Sequence, residues 1–151
     1  EGIINSGIPV MGHIGLTPQS INKLSGYKVQ GKTVASAKKL YHDALAIEAS
    51  GVFALVLEGV PEELAQFITQ KIKIPTIGIG AGKYCDGQIQ VFHDILGLYE
   101  SFSPKHAKKY NNLQNQISSS LLQYKSDVES CKFPEDKHSS HISNNIIKAI
   151  E

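Results

Sequence analysis

The chain has 151 residues, with 15 basic and 14 acidic side chains and a formal net charge of +1. That length suffices for one domain with a real core, and the near-neutral balance gives no broad electrostatic case for nucleic acid or an acidic surface. Arginine is absent, so phosphate or carboxylate would meet no bidentate guanidinium fork, and no apolar run approaches a membrane span.

Cys85 and Cys131 lie far apart with no Cys-x-x-Cys spacing. They read as free thiols of a reducing compartment, which makes a soluble, cytoplasmic α/β protein the expectation. The first residue is Glu1 rather than Met, and residues 2–7 resemble a helix C-terminus running into a strand. The chain is therefore expected to begin inside a repeating unit, with an N-terminal portion missing.

The first strand is expected over 8–16, punctuated by Gly7 and Pro9 at its start and by Thr17-Pro18 at its exit. His13 falls near its end, where imidazole suits acid–base work near neutral pH but also serves as a satisfied polar residue. Gly12 and Gly15 leave room for another group to approach the backbone. Residues 20–32 show no sustained periodicity and are long for a connection inside a compact domain. Such a segment reads as a lid or an oligomer contact, with Tyr27 and Lys28 as its working residues. Thr33 then caps a helix whose apolar positions Val34, Ala37, Leu40, Tyr41, Ala44, Leu45 and Ile47 share one face. Gly51 ends it, with His42 and Glu48 on its polar side.

Phe53-Ala54-Leu55-Val56-Leu57-Glu58-Gly59-Val60-Pro61 is the stretch around which the rest is arranged. Five apolar residues run into one carboxylate and then into turn residues, the pattern of a strand buried on both faces. Alternation places Glu58 on the side of Ala54 and Val56, opposite Leu55 and Leu57. In a barrel of parallel strands the C-terminal strand ends form the face where chemistry occurs, which makes Glu58 a candidate acid or base. The alternative is a structural carboxylate capping the next helix, whose first turn is Pro61-Glu62-Glu63.

That helix is expected over 61–73, followed by a strand over 75–79 that leaves through the glycine-rich turn 78–82. The turn lacks the lysine and hydroxyl of a P-loop and is not a dinucleotide fingerprint, although backbone so bare admits a ligand closely. A fourth strand is expected over 89–96, with His93 and Asp94 on opposite faces and both structural. From Ser103 the chain reads as helical, with Ala107, Tyr110, Leu113, Ile117, Leu121, Leu122 and Val128 as a packing stripe. His138 and His141 are read as a surface loop, because two histidines alone do not make a metal site. Ile142, Ile146, Ile147 and Ile150 suggest an amphipathic tail. The expected division is a barrel portion over 1–141 and the tail over 142–151. Strands alternating with helices predict a parallel sheet with crossovers, and four such strands are half of an eight-stranded barrel.

Several of these stretches, in this order, closely resemble ketopantoate hydroxymethyltransferases. They are Gly12-His13-Ile14-Gly15-Leu16-Thr17-Pro18-Gln19-Ser20, then Gly26-Tyr27-Lys28-Val29-Gln30-Gly31, then Leu55-Val56-Leu57-Glu58, and then Ile77-Gly78-Ile79-Gly80-Ala81-Gly82 with Asp86-Gly87-Gln88. His93-Asp94 and the residues from Phe133-Pro134 to His138-Ser139 agree as well. The resemblance implies the C-terminal half of a (β/α)8 TIM barrel. It implies transfer of a hydroxymethyl group from 5,10-methylenetetrahydrofolate to 3-methyl-2-oxobutanoate, giving 2-dehydropantoate. It further implies a magnesium-stabilised enolate with Glu58 as proton acceptor, His13 binding substrate or supporting the metal shell, and the turn 78–82 admitting a flat pterin or the keto acid. A homodecamer with small-molecule partners, and no nucleic acid or membrane, follows from the same resemblance. Ser25 stands where a second glycine is usual and Gly59 where a cysteine is common. The magnesium-binding carboxylates and the substrate-carboxylate lysine are expected upstream of Glu1, so no metal ligand is assigned within this chain. Two other readings stand beside this one: another magnesium-dependent lyase or mutase barrel acting on a 2-oxo acid, and an inactive truncated remnant.

Overall fold

A computed structural model describes residues 1–18, 28–99 and 104–150. Its centre is the apolar run singled out above, which forms strand β2 (Ala54–Glu58) with its first four residues buried. Helix α1 (Gly2–Asn5) ends in a turn at Gly7 and leads to β1 (Met11–Gly15). Helix α2 (Val34–Ala49) carries the chain to β2, and α3 (Glu62–Lys71) carries it on to β3 (Thr76–Ile79). The short strand β4 (Gly87–Gln88) completes a sheet of order β1-β2-β3-β4, parallel throughout. Helices join β1 to β2 and β2 to β3, the alternation that the sequence pattern predicted, and four parallel strands match half of an eight-stranded barrel.

Burial follows the two faces of the sheet. Leu55 and Leu57 are fully buried and join Ile14, Leu40 and Ala44 of α2, and Ala65 and Ile68 of α3, in one cluster. Helices therefore cover the face carrying Leu55 and Leu57, leaving Ala54, Val56 and Glu58 for the other. Thr33 sets the start of α2: its hydroxyl accepts from the Ser36 amide at 3.2 Å while the Thr33 amide donates to the Ser36 hydroxyl at 3.0 Å. Such a reciprocal cap is worth about 1 kcal/mol. Glu48, near the other end of the helix, accepts from the Lys73 amide and ties α2 to the approach of β3.

No helix joins β3 to β4. The link packs through Cys85 and Asp86 instead. Asp86 Oδ2 accepts from the amide and the hydroxyl of fully buried Thr76, at 2.8 and 3.0 Å, and the Asp86 amide donates back to the Thr76 hydroxyl. The Thr76 proton is thus committed, so Thr69, 2.9 Å away, must be the donor in their contact. Asp86→Ala would leave the buried Thr76 amide without an acceptor and take away the acceptor of its hydroxyl proton, and we expect it to lower the unfolding free energy of the intact protein by about 1–3 kcal/mol in denaturant titration.

Both cysteines are free, Cys131 exposed and Cys85 half-buried. Burial pushes the Cys85 thiol above its ordinary pKa and, with the Asp86 charge adding to it, outweighs the opposing effect of the nearby Thr76 and Thr69 hydroxyls. Iodoacetamide at mildly alkaline pH should therefore label Cys131 well before Cys85, because the thiolate is the reacting form. Since folding raises this pKa, the linked stability is complete below the unfolded-state value and is lost as pH climbs through the folded-state value.

The structure corrects the fourth strand. Pairing stops at Gln88, and Phe92–Leu96 forms helix α4, which contains His93 and Asp94. Phe92, Ile95 and Leu96 fall at i, i+3 and i+4, so a turn of helix satisfies them as well as a strand would. Gly97, at φ +64°, closes the turn. Asp94 is buried and His93 stacks on Tyr99 at 5.2 Å.

The later helix starts at Leu113 rather than near Ser103, as α5 (Leu113–Glu129), and buries none of its residues. Its expected stripe is open: Ile117, Leu121, Leu122 and Val128 are all exposed. The isoleucines of the tail are exposed too, around α6 (Asn144–Lys148). His138 and His141 are engaged locally, with His138 Nδ1 accepting from the Glu135 amide and His141 lying 3.0 Å from Asp136. Tyr27 lies outside the described residues; Lys28 is exposed and its carbonyl accepts from the Gln30 side chain. Among the described residues no helix is long and apolar enough to cross a membrane.

Candidate functional site

The parallel register sets His13 beside Val56 and Gly15 beside Glu58. Cross-strand partners project from the same face, so His13 and Glu58 share the face turned away from the helices, one pair apart. Their side chains close that gap, with His13 Nε2 3.1 Å from Glu58 Oε2. A contact this short with a carboxylate requires the hydrogen on Nε2. The N–H does not run straight to the oxygen, however, and Nε2 is buried with no aligned hydrogen-bond partner among the described residues. We read the pair as an electrostatic contact with donor capacity left for a third group. Glu58 is 15% exposed and His13 31% exposed, so the carboxylate is the more enclosed of the two.

Glu58 does not cap the following helix. The N-cap of α3 is Pro61 with no side-chain cap, and Glu62 and Glu63 supply the acidic first turn. Among the described residues, His13 is the only polar side-chain partner of Glu58. The structural alternative for this carboxylate loses its main support.

The backbone around Glu58 is pinned on three sides. The Leu16 amide donates to the Glu58 carbonyl at 2.7 Å, the Gly59 amide to the Ile79 carbonyl at 2.9 Å, and the Gln30 amide to the Gly59 carbonyl at 2.8 Å. Gly15 makes the first of these possible. At φ +95°, a Cβ there would sit 2.1 Å from the Glu58 carbonyl oxygen. The turn after β3 is similarly dependent on glycine. A Cβ on Gly80 would strike the His106 ring at 2.9 Å, and one on Gly82 would strike the Glu62 side chain.

A cleft of about 350 Å³ opens between the end of β1 and α2, lined by His13, Ile14, Gly15, Thr17, Gln30 and Gly31 together with Ser36, Lys39, Leu40 and Asp43 of α2; His13 borders it and Glu58 does not. That volume suits a small ligand. A larger hollow of about 520 Å³ lies against α5, lined by Ser119, Ser120, Gln123, Tyr124, Asp127 and Phe133. All of its lining residues except Phe133 belong to α5, and they bring together no acid–base pair.

Magnesium prefers a near-octahedral oxygen shell. Among the described residues no group of three or more His, Cys, Asp or Glu converges, and His13 with Glu58 offers one imidazole and one carboxylate. These residues alone do not fit the ion.

Glu58 and His13 were both legible as single residues, and the sheet brings them together. His93, Asp94, His138 and His141 stay apart from them in other elements. His106 was missed: it sits in a lysine-rich polar stretch, and its seat on Gly80 leaves no local periodic signal.

The comparisons agree with this architecture. The family model described as ketopantoate hydroxymethyltransferase matches residues 1–136. A protein of Clostridium beijerinckii named 3-methyl-2-oxobutanoate hydroxymethyltransferase is 51% identical over 150 residues, which are 99% of this chain and 54% of that protein. Proteins of the same name from Thermosipho melanesiensis and Chloroflexus aurantiacus are 56% and 55% identical, over 91% and 93% of this chain and 52% and 50% of their own lengths. The chain spans about half the length of these relatives.

Proposed function

Because the chain belongs to the ketopantoate hydroxymethyltransferase family, we propose that it carries the proton-abstracting part of a hydroxymethyl transfer. The acceptor is 3-methyl-2-oxobutanoate, the donor is 5,10-methylenetetrahydrofolate, and the product is 2-dehydropantoate. The observation that carries this reading is the enclosed Glu58 carboxylate, aimed away from the helices and met, among the described side chains, only by His13. Carbon–carbon bond formation at C3 of the keto acid first needs the C3 proton removed, and a positioned carboxylate within reach does this as a general base. His13 lies against Oε2, which leaves Oε1 as the oxygen to meet that proton. Val56 and Ile79, buried on the same face through the register, keep water from competing.

Magnesium, when bound, would supply Lewis-acid stabilisation of the developing enolate; the described residues do not hold it by themselves. The same reading takes the protein to be cytoplasmic and a homo-oligomer, in keeping with an α5 stripe that no described residue covers.

The test is exchange of the C3 hydrogen of 3-methyl-2-oxobutanoate with solvent deuterium, catalysed by the intact protein without the folate donor. Exchange that saturates with substrate supports the reading. Its absence, with magnesium supplied, sinks it.

A further inference from the structure

We propose that His106 binds the one-carbon donor at the mouth of the site, an assignment that rests on the hydroxymethyl-transfer reading and names the residue meeting its second reactant. The ring of His106 lies directly on Gly80, with Cγ and Nδ1 2.9 and 3.0 Å from where a Cβ would stand. Gly80 follows Ile79, the register partner of Glu58, and the Gly59 amide is bonded to the Ile79 carbonyl. His106 therefore sits over the same end of the sheet as Glu58, one strand across. Strand spacing and rise per residue put it on the order of 10 Å from the carboxylate, about the width of a small reactant.

The seat is held and the head is free. The Gln90 side-chain amide donates to the His106 carbonyl at 3.0 Å, fixing the backbone. The residue itself is exposed, and among the described residues neither ring nitrogen has a hydrogen-bond or ion-pair partner. Gln90 Oε1 is buried beside it, also with no partner among them. A neutral imidazole offers one donor and one acceptor, which suits the amine and amide edge of a reduced pterin. The new bond forms at the carbon that Glu58 deprotonates, so the donor must bring its one-carbon unit close to that carboxylate. The turn after β3 does not leave its backbone open as its composition suggested: His106 covers Gly80 and Glu62 covers Gly82, so on this flank the exposed imidazole is the group a flat ring would meet.

The experiment compares the intact protein with its His106→Ala and His106→Gln variants, measuring Kd for tetrahydrofolate, KM for each substrate, donor-free C3 exchange and the thermal midpoint. Loss of one hydrogen bond should raise the Kd for tetrahydrofolate and the donor KM about 3- to 10-fold in the alanine variant. KM for the keto acid, exchange and thermal midpoint should hold, and glutamine should recover most of the loss. An unchanged Kd for tetrahydrofolate in the alanine variant overturns the proposal. So does a Kd that weakens only in step with a falling midpoint and falling exchange, which marks a purely structural role. Failure of exchange in the unsubstituted protein counts against the Glu58 reading instead, because folate binding is read independently of turnover.

Discussion

Glu58→Gln should lower the rate of C3 exchange in the intact protein by about a hundred- to ten-thousand-fold, the range a positioned general base contributes. The substitution changes little else. Glutamine has nearly the same shape, its amide oxygen can still face His13 Nε2, and Glu58 caps no helix whose loss would confuse the result. Unfolding midpoints should therefore agree closely between the two proteins, and substrate affinity should shift far less than the exchange rate. The decisive measurement is the NMR signal of the C3 hydrogen in deuterated buffer at saturating keto acid. A variant that keeps a tenth or more of the parental rate removes Glu58 from its assigned role.

The second large effect is on the frame that holds this carboxylate. Gly15→Ala places a methyl group 2.1 Å from the Glu58 carbonyl oxygen in a backbone already at φ +95°. The left-handed conformation alone costs a non-glycine residue about 1–3 kcal/mol. The overlap must then be relieved by parting β1 from β2, which breaks the bond from the Leu16 amide to that same carbonyl. We expect a total loss of about 3–5 kcal/mol in urea unfolding. Gly7→Ala is the control: its φ is +80°, but nothing lies within 4 Å of the added carbon. It should show the backbone cost alone. Equal destabilisation of the two variants would mean that the strand contact at Gly15 is unimportant.

How much of this was legible in the sequence depended on the range of the interaction. Strand β2 was plain because an apolar run ended in Gly59 and Pro61, and α2 was plain because Thr33 and Gly51 bracket a clean apolar face. The side of β2 on which Glu58 lies followed from alternation alone. Its meeting with His13 did not, since it depends on the pairing of Gly15 with Glu58, which no local pattern encodes. Residues 89–96 differ from the expected strand for a specific reason: an apolar run this short fits a strand or a helical turn equally well, and Gly97 decides for the turn. The α5 stripe was recognised correctly as apolar, but periodicity describes what a helix offers and not what covers it. His106 was hidden because its contact with Gly80 joins distant parts of the chain.

The glycines at 15, 59, 80 and 82 all hold left-handed backbone along the rim above the carboxylate. Three of them touch a neighbour so closely that a single added carbon would collide with it. At Gly15, Gly80 and Gly82 this border consequently has little mutational freedom, because even the smallest added side chain there must push a neighbour aside. Change in what the site accepts is therefore easier in whatever is laid over the border than at these three positions.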